Sequence, residues 1–199
     1  MRILAFSDLH NDQAAANKIA AASPTADVVI GAGDFGVKGG SAAEVLHILK
    51  QMTVPTILVA GNHDDLSELR SFCAEWELGH FLHGTSVTIL GQSFFGLGCE
   101  IPSRSDFVWN QTLTEAEAKK LLEQCPDQAI LVTHTPPLGT CDLQRDGGHE
   151  GSQAILDTIQ AKNIKLNCTG HIHNSWGVVE KIGNCTVHNL GPTVNWYEI

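Results

Sequence analysis

The fold of this chain is decided by the stretch Val28-Val29-Ile30-Gly31-Ala32-Gly33-Asp34, in which a short apolar run ends in glycines and one carboxylate. Such a run is typical of a buried strand in a parallel sheet, and the glycines with Asp34 mark its carboxyl end. Ligands of open α/β sheets bind outside the carboxyl ends of the strands. We therefore expect Asp34 to lie in a binding crevice.

The same arrangement recurs along the chain, where polar side chains directly follow apolar runs. Three further runs and one glycine-led segment end in side chains of this kind: Asp8 and His10, Asn62 and His63, His134, and the pair His171 and His173. All are residue types that bind metals. Because the carboxyl ends of parallel strands share one edge of a sheet, we expect these side chains to meet in one crevice.

Strand and helix patterns alternate through the first half of the chain and change later. Strands are predicted at residues 2–6, 27–30, 56–60, 129–133 and 164–168, and helices at 11–22, 41–52, 66–76, 114–124 and 152–162. Two hairpins are predicted, one turning at Gly91-Gln92 and one at Gly183-Asn184. The sequence thus predicts an α/β fold of two sheets packed face to face, with helices outside.

The composition indicates one globular domain over residues 1–199. With 43% hydrophobic and 17% charged residues, the chain is long enough for one well-buried core and short for two. Its 12 basic and 22 acidic residues give a formal net charge of −10, without a basic run. Since nucleic acid is bound through Lys and Arg, a nucleic-acid partner is not expected, whereas a small anionic substrate remains admissible beside bound cations.

The sequence also indicates the cellular compartment of the protein and the redox state of its cysteines. The six cysteines are spread singly without a C-x-x-C, so we expect no disulfide framework. The first residues run from Met1 straight to Asp8 and leave no space for a secretory leader. No apolar stretch approaches the roughly 18 residues of a membrane span. We therefore expect a reduced, cytoplasmic protein without a membrane partner.

Taken singly, most of the polar segments have an ordinary structural explanation. Asp8-Leu9-His10 is explained as well by a surface turn with a helix-capping acid, and Gly33-Asp34 by a common turn. A capping turn also explains Asn62 and Asp64. Two imidazoles at i and i+2 beside Gly170 suit metal binding better than core packing. The five segments together, in this order and at strand ends, are what indicates a functional site.

The ordered set Asp-x-His, Gly-Asp, Gly-Asn-His-Asp, a histidine after a later strand, and Gly-His-x-His resembles the signature of the calcineurin-like metallophosphoesterases. The match covers residues 8–173. The resemblance implies a two-sheet αββα sandwich, which agrees with the predicted strands and helices. It also implies a binuclear metal centre that acts on small phosphate esters.

The resemblance assigns a role to each matching residue. One ion is implied to be held by Asp8, His10, Asp34 and His173, and the other by Asp34, Asn62, His134 and His171. Such donors suit Mn, Fe or Zn, and a shared carboxylate holds two ions about 3.5–4 Å apart, with a bridging water or hydroxide to attack phosphorus. His63 is implied to be the general acid for the leaving oxygen, and Asp64 is implied to orient its ring.

The implied function is a dimetal-dependent phosphoesterase, with diesters favoured. The segment from Phe35 to Gly40 lacks the acidic residue and the arginine of the protein-phosphatase branch, which disfavours phosphoprotein substrates. The alternative is a catalytically weak scaffold of the same fold that binds proteins. The presence of all the ligands together with His63 favours the enzyme, and the acidic charge disfavours a nuclease. The oligomeric state is left open, a homo-oligomer included.

One loop lies outside the signature. Residues 133–137 and the loop 142–152 resemble features of small prokaryotic members of the family. Within that loop, His149 either lines the cleft or is an exposed loop histidine, and the sequence favours neither. The other histidines have no indicative spacing and are predicted to be surface or satisfied core residues: His47, His80, His83 and His188.

Overall fold

The computed structural model describes residues 1–199 as eleven strands, five α-helices and two short 3₁₀ helices. The strands are β1 (Arg2–Phe6), β2 (Val28–Gly31), β3 (Thr56–Leu58), β4 (Gly79–Phe81), β5 (Thr85–Ile89), β6 (Gln92–Leu97), β7 (Ile130–Thr133), β8 (Leu166–Thr169), β9 (Val179–Ile182), β10 (Cys185–Asn189) and β11 (Asn195–Glu198). The α-helices are α1 (Gln13–Ala22), α2 (Ala43–Leu49), α3 (Leu66–Ala74), α4 (Glu115–Leu122) and α5 (Gln153–Ala161), and the 3₁₀ helices are Ser23–Thr25 and His173–Ser175.

Two mixed sheets form the centre of the molecule. The first has the order β11-β1-β2-β3-β4, with β1 to β4 parallel and β11 antiparallel at its edge. The second has the order β5-β6-β7-β8-β10-β9, in which β5 and β9 are the antiparallel edges of a parallel centre. The predicted α/β two-sheet sandwich is confirmed.

Alternate side chains of each strand face opposite layers, and this divides the core into three parts. In β1, Ile3 points between the two sheets, whereas Leu4 packs with α1 and α2. In β6, Phe94 joins the layer between the sheets and Phe95 packs with α4 and α5. Strands such as β1, β2 and β7, which are covered on both faces, are apolar along most of their length, and this made them predictable from the sequence.

Capping side chains fix where the helices begin. The carboxylate of Asp12 accepts from the N–H of Ala15, so α1 begins at Gln13, two residues after the predicted start. Thr114 and Glu117 form the predicted capping box at the start of α4. The second helix is shorter than predicted and covers only Ala43–Leu49. No helix in the structure has the length and apolar character needed to cross a membrane.

The structure corrects the predicted strands in two respects. β4 and β11 were not predicted, because each is short and carries polar residues that give no strand pattern. The first hairpin turns at Leu90-Gly91 and not at Gly91-Gln92, since Ile89 pairs with Gln92. Both turn residues have positive φ (49° and 82°), as a type I′ turn requires.

The cysteines serve as small core residues. All six are buried, and none forms a disulfide. Burial raises the pKa of the thiols of Cys73, Cys99 and Cys168 to about 12, so these side chains remain protonated at neutral pH.

The layer between the sheets can be tested with two phenylalanines. Phe94 is fully buried, and Phe94→Ala should lower the free energy of unfolding by roughly 3–5 kcal/mol. Phe107 is 62% exposed, and Phe107→Ala removes the same atoms but should change this energy by less than about 1 kcal/mol. Urea denaturation measures both. Equal losses would contradict the position of Phe94 in the core.

Candidate metal centre

The carboxyl ends of five strands meet at one edge of the sandwich and carry the predicted site. β1, β2 and β3 belong to the first sheet, and β7 and β8 belong to the second. The sheets are in direct contact here, since His134 Nδ1 lies 2.8 Å from the carbonyl oxygen of Ala32. In addition, the backbone N–H of His171 donates to Asp8 Oδ1 (3.1 Å). Side chains from both sheets therefore face one another across this edge.

The first ligand group consists of Asp8, His10 and His173. Their ligand atoms lie within 4.8 Å of one another. Nε2 of His10 is 3.1 Å from Nε2 of His173, and Nε2 of His173 is 3.8 Å from Oδ1 of Asp8. These three side chains surround a space that one cation could occupy.

The second ligand group consists of Asp34, Asn62, His134 and His171. Nε2 of His134 lies 3.4 Å from Oδ1 of Asp34, and the amide oxygen of Asn62 lies 3.1 Å from both His134 Nε2 and His171 Nδ1. The other carboxylate oxygen of Asp34 is 3.7 Å from His10 Nε2 in the first group. Asp34 thus stands between the two groups, and the structure brings all seven predicted ligands together.

Glycines allow the carboxylates to sit this close to the backbone. A Cβ atom at Gly61 would collide with the carboxylate of Asp34. A Cβ atom at Gly170 would collide with the carboxylate of Asp8 in the same way. The glycines that precede Asn62 and His171 in the sequence are therefore required by the packing of the site.

The site residues also hold an uncommon backbone conformation. Asp8, His10, Asp34 and His171 have φ values of 55°, 45°, 57° and 70°, in the left-handed region that few non-glycine residues adopt. Each such residue costs of order 1–3 kcal/mol and persists only where the surroundings enforce it. Residues of this kind cluster at functional sites, which agrees with a shared role for these four.

Asp64 organises the backbone of the site. Its buried carboxylate accepts hydrogen bonds from the N–H groups of Asp34, Gly36 and Gly61, each at 2.8 Å. No hydrogen bond joins it to the His63 ring, so the prediction that Asp64 orients that ring is wrong. The carboxylate instead fixes the loops that follow β2 and β3.

The ring of His63 is held by another part of the chain. Its Nδ1 accepts from the N–H of Lys38 (2.9 Å), which places the proton of the neutral ring on Nε2. The backbone N–H of His63 donates to Asp34 Oδ1 (2.9 Å). The ring is half-buried between His10 and Trp109, with centroid distances of 5.0 and 4.7 Å. Burial lowers its pKa.

Two residues that the sequence did not single out support the ligands. Asn110 accepts from the amide nitrogen of Asn62 (2.8 Å), which turns the amide oxygen of Asn62 toward the histidines. Trp176 donates from Nε1 to Asp8 Oδ2 (3.2 Å) and packs on the ring of His173. Both lie outside regular strands and helices and form no recognisable motif, so no sequence pattern could have indicated them.

Charges and burial oppose one another in the metal-free site. Burial would lower the pKa of His134, but the neighbouring carboxylates Asp34 and Asp8 outweigh it and raise that pKa to about 9. Burial, followed by the charge of His134, lowers the pKa of His171 to about 3. For Asp64, burial and the nearby Asp34 raise the pKa to about 6. In the metal-free site the positive charge of His134 and the negative charge of Asp34 therefore stabilise one another.

The donors fit a pair of divalent cations. Carboxylate oxygens, imidazole nitrogens and one amide oxygen are ligands that borderline ions such as Mn, Fe and Zn accept. The ring nitrogens of His10 and His173 approach to 3.1 Å, and the oxygen of Asn62 faces two further ring nitrogens at the same distance. Several atoms able to coordinate a cation therefore converge here, and a bound cation would take the place of the protons that join them in the metal-free site.

His149 belongs to neither ligand group. Its Nδ1 lies 2.6 Å from Oδ1 of Asp142, and half of its side chain is exposed. The carboxylate of Asp142 also accepts from the N–H groups of Gly139 and Gly151. Among the two interpretations left open by the sequence, the exposed loop histidine fits, because the ring stabilises the loop through Asp142.

Comparison with known proteins agrees with this geometry. The family model for the calcineurin-like phosphoesterase superfamily domain matches residues 1–197. The chain belongs to this superfamily. The resemblance predicted from the sequence is therefore confirmed over nearly the whole of this calcineurin-like phosphoesterase domain.

Two relatives of this domain are a UPF0046 protein and a cyclic-nucleotide phosphodiesterase. A UPF0046 protein of Caenorhabditis elegans is 31% identical over 186 residues, which cover 83% of this chain and 62% of that protein. A cAMP/cGMP dual specificity phosphodiesterase of Mycobacterium tuberculosis is 23% identical over 180 residues, 84% of this chain and 57% of the relative. The chain thus matches only about three fifths of the length of these relatives.

The fold is shared with solved structures. A Thermus thermophilus protein of known crystal structure superposes with a TM-score of 0.78, covering 98% of this chain and 97% of that one. The sequence identity is 19%, so this similarity concerns the fold alone.

The role of Asp64 can be separated from that of His63. Asp64→Ala leaves three buried N–H groups without an acceptor, at about 1–3 kcal/mol for each. We expect this variant to lose stability and to bind Mn²⁺ weakly, because the loops of Asp34 and Gly61 are released. His63→Ala should keep both properties. Urea denaturation in EDTA and calorimetric Mn²⁺ titration test this, and equal behaviour of the variants would contradict it.

Metal binding should depend on pH through His134. Its pKa is raised to about 9 in the metal-free protein, so below that pH a cation must displace a proton from the ring. We expect the apparent affinity for Mn²⁺ to rise about tenfold per pH unit between pH 6.5 and 8.5. Calorimetry in buffers of different ionisation enthalpy counts the released proton. A pH-independent affinity without proton release would show that His134 is neutral in the metal-free protein.

Proposed function

We propose that this calcineurin-like phosphoesterase is a dimetal-dependent phosphodiesterase for small substrates. The observation that carries the proposal is the position of Asp34, with one carboxylate oxygen facing each ligand group. A shared carboxylate is the means by which two-metal hydrolases hold their ions close together. The family and the intact ligand set support hydrolysis.

Two divalent cations would occupy the ligand groups. One would be held by Asp8, His10, Asp34 and His173, and the other by Asp34, Asn62, His134 and His171. When bound, such ions polarise the phosphoryl oxygens and lower the pKa of water to supply the nucleophile. Mn, Fe and Zn all suit these donors, and the choice among them stays a prediction.

His63 would serve the leaving oxygen. Its Nδ1 is occupied by the N–H of Lys38, so Nε2 carries the proton of the ring and has no partner within the chain. The bond from its backbone N–H to Asp34 Oδ1 fixes the residue at the shared carboxylate, and its ring lies 5.0 Å from that of His10 in the first ligand group. From this position Nε2–H can donate a hydrogen bond to the oxygen that departs from phosphorus. Transfer of the proton itself requires the doubly protonated ring, in which Nδ1 no longer accepts from the N–H of Lys38 and which returns to the neutral ring once the leaving oxygen is protonated.

The surroundings of the site favour a diester over a phosphoprotein. A diester carries one negative charge and a phosphoserine two, and the chain offers little positive charge against a net −10. Lys38 and Arg104 are the basic residues whose charges act on His63 and His171. The loop from Phe35 to Gly40 supplies no arginine. The cyclic-nucleotide diesterase among the relatives also supports a diester.

Three further expectations stay predictions. They are the cytoplasmic location, the identity of the metals with manganese among them, and any homo-oligomer. The scaffold function is kept as the alternative outcome of the experiment below.

The proposal is tested by leaving-group dependence. The Mn²⁺- or Zn²⁺-loaded chain should hydrolyse small phosphodiesters, and EDTA should abolish the activity. His63→Ala should cost about 10²–10⁴-fold for alkyl diesters, whose leaving oxygen needs a proton, and much less for bis(p-nitrophenyl) phosphate. Metal content, measured by elemental analysis, should stay at two ions per chain.

A matched control uses the exposed His47 on α2, whose Nδ1 contacts only the carbonyl oxygen of Ala43 at 2.6 Å. His47→Ala should change neither activity nor metal content. An equal loss for every leaving group, or loss of metal in His63→Ala, would remove His63 from the acid role. A chain that binds two ions and hydrolyses no ester would favour the scaffold.

A further inference from the structure

The loop between β6 and α4 is fixed to the candidate metal centre. The N–H of Gln111 donates to the carbonyl oxygen of Asn62 (2.9 Å), and the side-chain amide nitrogen of Asn62 donates to Oδ1 of Asn110 (2.8 Å). Asn110 in turn donates to Glu100 and to Ser105 Oγ (2.8 Å). These bonds hold the loop in one position relative to the second ligand group.

Two aromatic side chains of this loop form a stack that begins at His63. The ring of Trp109 lies 4.7 Å from that of His63, and Phe107 stacks on Trp109 at 5.4 Å with an interplanar angle of 10°. Phe107 and Trp109 are here called the aromatic pair. A Cβ atom on Gly39 would lie 3.2 Å from Cβ of Trp109, so the loop that follows Asp34 supports the pair from behind.

Phe107, the outer ring of the pair, is not part of the hydrophobic core. Phe107 is 62% exposed, and Val108 between the two aromatics is fully exposed. Elsewhere in the chain the phenylalanines Phe6, Phe35, Phe94 and Phe95 are fully buried. An exposed ring held parallel to a second ring offers a flat π face, and stacking of a nucleobase on such a face is worth about 1–3 kcal/mol.

The residue at which the stack begins indicates which part of a substrate would occupy it. Trp109 packs on the ring of His63 (4.7 Å), the residue beside which the leaving oxygen would lie, whereas His10 of the first ligand group packs on that ring at 5.0 Å. A group that stacks on the pair is therefore part of the leaving alcohol and not of the phosphoryl group that the cations would hold. Lys38, whose N–H holds the His63 ring, is adjacent in the chain to Gly39 behind Trp109.

We propose that the aromatic pair binds a planar ring of the leaving group, and that the substrates are diesters whose leaving alcohol carries an aromatic heterocycle, as a nucleoside does. This inference rests on the proposed function, because His63 marks the leaving-group side. The pair sets specificity and takes no part in the bond-breaking step.

The proposal is tested by two ligands that differ only in the ring. AMP and ribose 5-phosphate carry the same phosphate and sugar, and calorimetry on the Mn²⁺-loaded chain measures their affinities. AMP should bind about 5- to 150-fold more tightly, as expected from stacking on the pair. Phe107→Ala and Trp109→Leu should each reduce this ratio, and the double variant should bring it close to one.

Trp196 provides the control, because it is also a surface tryptophan but stands on β11 under the guanidinium of Arg2 (4.1 Å). Trp196→Ala should leave the ratio unchanged. Equal affinities of AMP and ribose 5-phosphate in the parent chain would overturn the ring site, while Mn²⁺-dependent binding of both would still support the phosphate site.

Phosphate binding that is independent of metal would count against the proposed function. A second titration, which needs neither phosphate nor metal, tests the ring site in that case as well. Adenosine should quench the fluorescence of the parent chain and ribose should not, and Trp109→Leu should lose the quenching. Quenching that survives in Trp109→Leu, or its absence in the parent chain, would overturn the aromatic pair as a ring site. Equal thermal melting of the variants excludes unfolding as the cause.

Discussion

The carboxylate of Asp64 and its three backbone N–H donors fix the geometry on which the rest of the site depends. Burial and the nearby Asp34 raise the pKa of this acid to about 6, so its ionised form has to be stabilised locally. The N–H groups of Asp34, Gly36 and Gly61 provide that stabilisation and come from the loops after β2 and β3. The separation of these loops decides whether Asp34 can face both ligand groups.

The segment Gly61-Asn62-His63-Asp64 combines four different tasks in four consecutive residues. Gly61 leaves space for the carboxylate of Asp34, and the amide oxygen of Asn62 faces two histidines. Asp64 turns away from its neighbour to hold the backbone, and His63 is held by Lys38 from the preceding loop. Residues adjacent in sequence thus act on different parts of the site, and each loop stabilises a side chain of the other.

Much of the fold and most of the site were predictable, for physical reasons. Strands such as β2 and β7 are covered on both faces, and burial requires an apolar run in the sequence. β4 and β11 are short edge strands whose pairing is decided by tertiary contacts. The candidate ligands were identified because glycines and polar residues follow buried strands in a fixed order, and the structure brings these side chains together. The role of Asp64 was mistaken because adjacency in sequence does not determine where a side chain points. Asn110 and Trp109 lie in an irregular loop, where no periodicity reports on spatial neighbours.

The ligands come from two sheets, and this gives the packed layer between them a second role as a spacer. The distance from Asp34 to His134 depends on how closely side chains such as Ile30 and Val132 fill that layer. A side chain in this layer that is larger or smaller by one methylene would shift the candidate ligands of one sheet relative to those of the other. Under the proposed two-metal function, sequence drift in this part of the core would be constrained by metal coordination as well as by stability, and homologues that repack the layer would be expected to differ in the ion that they hold.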